Sequence, residues 1–586
     1  MPDSNPPPMT PDELRRLFPI ERPLIKDGVF EIGLVLGGTV SAGAYTGGVI
    51  DYLIEALDAW ARAKEQRPAE VPRHEAVIST IGGTSGGGIN GAILLRAAGF
   101  EFEHGSAAEN PFHSAWTAGV DLTALLSTAK QPGVDDLASL LNCATLDVNA
   151  NAVIAWTGRP LGSMTSPARR SYLADPLRLF AMVGNVTGIP YSIELKGGSG
   201  LAHELMAHAD FVRFALAVPG GVPDGVQSRP DEIALATASA TSWDILRDAA
   251  LATSAFPMAL RGRPLERALA GFGYRVAVVP QEEGPSDVVQ LLPKWSLLHA
   301  AEQAPGRVPF ANVDGGTMNN EPVDVVRMAL AGQGGRNKRA GEDADRAVVL
   351  IDPFSDPEEL GPTAVPSAPA LLLPFINSLI YQNRMKPVDV ALARSPDTFS
   401  RFLLAPLGPD PADPGKTAIG RKVIASGGLG GFLGFVDRGF LEYDYRLGRA
   451  NAYQFLSKEF MLPEGNALFS AANNWTDAMK AQYADVEGGT RYLPIVPLMP
   501  ELKANPPPVP APWPRLAQFP PTLADAIEAR LDFLYKALAG GLPGSWVSRT
   551  LASGYLWLGW RLAARAAIRD AAVNAIRQAL VDQRLL

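Results

Sequence analysis

The chain has 586 residues, 47% hydrophobic and 19% charged, with a net charge of −9. That length fits one large domain with insertions, or two to three domains, and the composition excludes wholesale disorder. The acidic balance gives no support to nucleic-acid binding, which needs a concentrated basic surface, and the single cysteine, Cys143, excludes an internal disulfide framework.

Taken in order, residues 1–30 read as a flexible proline-rich arm with a short helix near TPDELRRLF; the arm lacks the apolar centre of a secretory signal. A cytoplasmic location is therefore expected. EIGLVL, residues 31–36, reads as a buried strand. AYTGGVIDYLIEALDAWARA reads as a helix with Val49, Leu53, Ala56, Leu57 and Trp60 on one stripe. AVISTIG is strand-like and GINGAILLRAAG helix-like. This β–α–β–α order with glycine-rich turns predicts an α/β fold with a mainly parallel central sheet covered by helices.

Residues from about 101 to 180 read as a helical or irregular insertion, and about 262–305 as a second one. Between them, RLFAMVGNVTGIPYSIEL predicts a strand pair, and DEIALATASATSWDILRDAALATSAFPMAL a strand and then a helix. VPFANVDGGTMNNEPVDVVRMAL predicts strand, turn and helix, and RAVVLIDPF a further strand. The catalytic-type domain is thus expected over 31–355. Beyond it the sheet signal fades, leaving a helical and irregular extension over 356–500. Residues 501–586 comprise a proline-rich linker, ANPPPVPAPWPRL, and amphipathic helices. No apolar run reaches the roughly 20 residues that span a bilayer. Residues 546–580 interleave Trp546, Tyr555, Trp557 and Trp560 with Arg549, Arg561, Arg565 and Arg569. That composition suits either a helix lying on the inner face of a membrane or one packed on the rest of the chain. Homo-oligomerisation stays open.

Chemistry concentrates in three places. IGGTSGGG holds Gly83-Thr84-Ser85-Gly86-Gly87, a G-x-S-x-G pattern between a predicted strand and a predicted helix. A nucleophilic serine needs such a tight turn to present its hydroxyl, with glycines letting neighbouring backbones pass and a helix dipole aimed at the developing charge. The hydroxyl also needs a base. The six histidines, His74, His104, His113, His203, His208 and His299, stand in no recognisable catalytic loop and are assigned structural or surface roles. FANVDGGTMNN offers a carboxylate instead: Asp314, at a predicted strand end, followed by Gly315 and Gly316. The third place is LGGTVSAGAY. Counted from Gly38, Ala44 stands where a phosphate loop needs lysine, and no G-x-G-x-x-G occurs there, so nucleotide binding is excluded. Backbone N–H groups near Gly38 and Thr39 can instead face an oxyanion formed at Ser85.

Together, LGGTVSAGAYTGG, GGTSGGG and VDGGTMNNEPV, with ALATSAFPMAL before the last, resemble the patatin-like phospholipases. The resemblance covers residues 31 to about 355. It implies a three-layer α/β fold and a Ser–Asp dyad, with Ser85 as nucleophile and Asp314 as base. It also implies an oxyanion hole from the amides of Gly37, Gly38 and Thr39, helped by Gly86. Gly43, Gly83, Gly87, Gly315 and Gly316 are the remaining motif glycines. The implied substrate is a lipid with fatty-acyl ester chains, and no metal or other cofactor is implied. The alternatives are a carboxylesterase or thioesterase on small acyl groups, or a catalytically silent scaffold. The family's first motif usually reads G-G-G-x-[RK]-G; here Ala42 falls at the basic position, and Thr39 and Val40 replace glycine or nearby residues.

Overall fold

The computed structural model describes residues 7–540 and 565–586, apart from 163–165, 195–201, 237–239, 285, 298–305, 357–363, 365–366 and 385. Helix α1 (Pro11–Leu17) begins with a capping box, Thr10 and Glu13 each satisfying the other's backbone N–H. The N-terminal arm is less free than its prolines suggest. Phe18 is buried, and Arg22 reaches the buried carboxylate of Glu31 at 2.9 Å.

A ten-stranded sheet forms the centre. Its strands are β1 (Val29–Leu36), β2 (Glu75–Gly83), β3 (Leu173–Glu194), β4 (Ala202–Leu216), β5 (Val222–Pro223), β6 (Glu232–Leu235), β7 (Arg263–Ala268), β8 (Arg307–Asp314), β9 (Arg346–Ile351) and β10 (Arg401–Leu404). The main path runs β10-β9-β1-β2-β3-β8-β7. From β10 to β3 every pairing is parallel, while β8 pairs antiparallel with both β3 and β7. Every residue of β1 and of β9 is buried, as strands covered on both faces require.

Two sequence expectations change here. The predicted strand pair over 178–195 is, as far as Glu194, one long strand, β3, whose pairing with β4 shifts register between Gly184 and Ile189; Gly188 absorbs the irregularity at φ 83°. The sheet also does not stop near residue 355, because β10, from the extension, completes its edge.

The helices that matter to the site are α2 (Gly43–Gln66), α3 (Gly86–Ala97), α4 (Pro111–Thr117), α5 (Ala144–Ala155), α6 (Ala240–Thr253), α7 (Val323–Ala331), α8 (Ala368–Gln382), α9 (Arg438–Lys458), α10 (Pro521–Gly540) and α11 (Arg565–Asp582). The expected stripe of α2 is buried, but so are its other faces, because α9 covers it from the second side. The two helices touch backbone to backbone. A Cβ on Gly48 would stand 2.0 Å from the Tyr445 carbonyl oxygen, and one on Gly448 2.1 Å from that of Tyr45. Beside this contact the fully buried Asp51 accepts hydrogen bonds from Tyr445 (2.8 Å) and Asn110 (2.9 Å) and pairs with His104 (2.8 Å) and Arg449. Burial alone would raise the Asp51 pKa, but Arg449 and His104 hold it below the usual carboxylate range. One hydrophobic core runs from Phe30 of β1 through α2 and α9 to Leu585, so the extension shares the core of the sheet.

Candidate active site

β2 ends at Gly83 and α3 begins at Gly86, which leaves Thr84 and Ser85 to make the whole turn. Ser85 adopts φ 53° and ψ −128°, a region that side chains disfavour and that functional turns retain. The turn is held from three directions. The Ser85 N–H donates to Thr253 Oγ1 at the end of α6 (3.0 Å), the Thr84 N–H to the Leu36 carbonyl (3.1 Å), and the Thr84 hydroxyl to the Asn319 carbonyl (2.9 Å). Only glycine fits at residue 87, where a Cβ would meet the Leu36 carbonyl oxygen at 2.1 Å.

Asp314 ends β8 and is 4% exposed; Ser85 is 5% exposed. The Asp314 N–H donates to the Ala255 carbonyl (2.9 Å), and its carboxylate accepts the Gly316 N–H (2.7 Å). Burial pushes the Asp314 pKa up to about 6, against the opposing pull of the Gly316 N–H and of a hydrogen bond from the Ser85 hydroxyl. The fold therefore brings together two side chains that stand far apart in the chain.

Of the expected oxyanion donors, Gly37 is corrected. Its N–H donates to the Ile351 carbonyl (3.1 Å), extending the β1–β9 ladder by one residue, so this amide is already taken. The N–H groups of Gly38, Thr39 and Gly86 have no hydrogen-bond partner among the described residues. Gly38 stands next to the serine, since a Cβ there would lie 3.4 Å from Ser85 Cβ. Gly43 opens α2 against Trp116, and Gly315 and Gly316 form a 3-10 turn directly after Asp314.

Two chambers meet at Ser85 and share Val40, Phe256, Asp314 and Phe432. The first is apolar; Ile89, Trp116, Leu125, Leu146, Leu260 and Phe435 line it. The expected insertion over 101–180 thus supplies much of one wall, through α4 and α5. The second chamber is larger and more polar, and is open to solvent. Asn320, Tyr381, Arg384, Arg421, Asp582 and Gln583 are on its walls. Gln583 is anchored there by donating to the Arg421 carbonyl (3.0 Å).

Residues 34–327 match the sequence profile described as patatin-like phospholipase. The chain is also 32% identical over 543 residues to an uncharacterized protein, y4iI, of Sinorhizobium fredii; the match covers 86% of this chain and 75% of that one. The chain belongs to the patatin-like phospholipase family. It therefore sits in a family of lipid acyl hydrolases, and the mixed α/β architecture with a mainly parallel sheet agrees with that assignment.

Against the usual patatin-like pattern, Ala42 is fully buried in the main core, where a basic side chain would have no solvent. A cation does stand beside the glycine turn, but residue 384 supplies it, from outside the matched region. Arg384 pairs with Glu321 (3.0 Å) and Asp352 (2.8 Å), and those carboxylates flank Gly37. Asn320 links this cluster to the site. Its Nδ2 donates to Glu321, and its Oδ1 lies against Gly38 and Gly316. Thr253, Asn320 and Arg384 were not singled out from the sequence. The Asn-Asn-Glu run that follows D-G-G-T-M is the one local signal that could have pointed to Asn320.

The histidines serve structure where they are described. His74 accepts from Trp475 Nε1 (3.1 Å) and contacts the Ile495 carbonyl, His104 pairs with Asp51, His113 pairs with Glu442 (2.9 Å), and His208 bonds the Asn185 carbonyl (2.7 Å). His299 and the aromatic residues 546–560 lie outside the described residues. In α11, Arg565 and Arg569 pair with Glu528 of α10. No described helix is long and apolar enough to cross a membrane.

Proposed function

We propose that this patatin-like protein is a serine acyl hydrolase that cleaves fatty-acyl esters of lipids through Ser85 and Asp314. The observation that carries this reading is a strained, buried serine and a buried aspartate that line the same apolar chamber. Asp314 accepts the hydroxyl proton as Ser85 Oγ bonds to the ester carbonyl carbon. The resulting oxyanion is held by the amides of Gly38 and Gly86. Collapse breaks the ester C–O bond, and the alcohol leaves with the proton from Asp314. Water then attacks the acyl-enzyme, again with Asp314 as base, and releases the fatty acid. The apolar chamber suits the acyl chain, and the polar one suits the alcohol part.

A fluorophosphonate probe tests the nucleophile: it labels the wild type and leaves Ser85→Ala unlabelled. Labelling of both removes Ser85 from the mechanism. Hydrolysis of p-nitrophenyl esters from acetate to palmitate tests the substrate class. A rising kcat/KM with chain length is expected, and a preference for acetate would favour a small-acyl esterase or thioesterase.

The base must be ionised to act. With its pKa at about 6, Asp314 is mostly protonated below that pH and mostly ionised above it. The kcat/KM is therefore expected to rise about tenfold per pH unit below pH 6 and to level off above it. A flat profile from pH 4.5 to 8 would exclude Asp314 as the base.

A further inference from the structure

Thr39 occupies a position where the usual motif has glycine, and its side chain is 1% exposed. Its Oγ1 has no hydrogen-bond partner among the described residues. Buried hydroxyls are nearly always satisfied, because leaving one unpaired costs stability. An orphan of this kind inside a catalytic cavity suits a partner that exists only during turnover.

Position decides which partner. A Cβ on Gly86 would lie 2.2 Å from Thr39 Oγ1, so the hydroxyl sits against the first residue of α3, immediately after Ser85. Thr39 and Ser85 line the same chamber. The backbone around Thr39 is constrained: Val40 is held at φ 47°, a costly conformation for a β-branched residue, and the Ala42 N–H closes the turn on the Thr39 carbonyl (2.9 Å). The unpartnered amides of Gly38 and Gly86 flank the same place.

We propose that Thr39 is a catalytic residue whose hydroxyl donates a hydrogen bond to the oxyanion formed when Ser85 attacks the acyl carbonyl. The inference rests on that attack. The hydroxyl keeps its proton throughout; it adds a neutral side-chain donor to the amides of Gly38 and Gly86. The bond strengthens as negative charge develops on the carbonyl oxygen, so its loss is expressed in kcat and spares KM.

Steady-state hydrolysis of p-nitrophenyl octanoate by Thr39→Val and Thr39→Ser tests it. Valine keeps the branched shape without the donor, and serine keeps the donor. Thr39→Val is expected to lose about 10² to 10³ in kcat with KM changed less than about threefold, while Thr39→Ser stays within about tenfold of wild type. Wild-type kcat in Thr39→Val overturns the proposal. So does a loss in Thr39→Ser as large as in Thr39→Val, which would show that the methyl group matters and the hydroxyl does not. If Thr39→Val melts early, the Thr39→Ser and Thr39→Ala pair makes the same comparison. Ser85→Ala measured alongside separates the two levels. An active Ser85→Ala removes the attack itself, whereas an inactive one with a fully active Thr39→Val removes only the hydroxyl's role.

Discussion

On the proposed Ser85–Asp314 mechanism, Ser85→Ala is expected to lower kcat for acyl-ester hydrolysis by on the order of 10⁵ to 10⁶, and Asp314→Asn by a loss approaching it, with both variants folded. A nucleophile and base acting as one unit would leave the double variant scarcely worse than Ser85→Ala alone. In Asp314→Asn the side-chain amide oxygen can still accept the Gly316 N–H, which preserves the turn and isolates the loss of the base. Removing the buried charge also relieves a desolvation penalty, so Asp314→Asn is expected to match or exceed the wild type in thermal stability at pH 8. The sign follows from the raised pKa: the folded state disfavours the ionised carboxylate, and this cost is largest above pH 6. A folded Asp314→Asn enzyme with wild-type kcat would sink the dyad.

Gly448→Ala is expected to be among the most destabilising single-methyl changes in the molecule. The added Cβ would lie 2.1 Å from the Tyr45 carbonyl oxygen and 3.1 Å from the Val49 nitrogen, both backbone atoms of α2. No rotamer change relieves such a clash, so α2 and α9 must separate. Separation also stretches the bonds from Tyr445 and Arg449 to Asp51. The cost is about 3 kcal/mol, at the upper end of overpacking, and is read as a lowered urea midpoint at unchanged slope. Gly99→Ala is the control, because a Cβ there meets nothing within 4 Å. Equal midpoints for the two variants would show that the helices yield freely.

What could be read from the sequence was local or carried by motif order. β1, α2, β2 and α3 appear in order because their apolar spacing and glycine turns are short-range signals. Ser85 and Asp314 were paired by the want of a catalytic histidine and by the order of the motifs, since no periodicity reports a contact across so much chain. The engaged amide of Gly37 was illegible: whether a strand ladder stops at residue 36 or continues to 37 depends on β9, far downstream. The four residues of β10 are too few for a pattern to show. α9 hid its importance behind charged residues such as Arg449, whose partner, Asp51, is buried nearly 400 positions earlier. The wall around Phe432 and Phe435 is built from 3-10 turns, which leave no usable period.

The anchoring of Gln583 on the polar chamber has a consequence in time. Residue 583 is 498 positions beyond residue 85 (583 − 85), and synthesis at about 5–20 residues per second separates the two by roughly 25 to 100 s. The second chamber therefore gains the wall of Ala579, Asp582 and Gln583 only after Ser85, Asp314 and Phe432 have all been made.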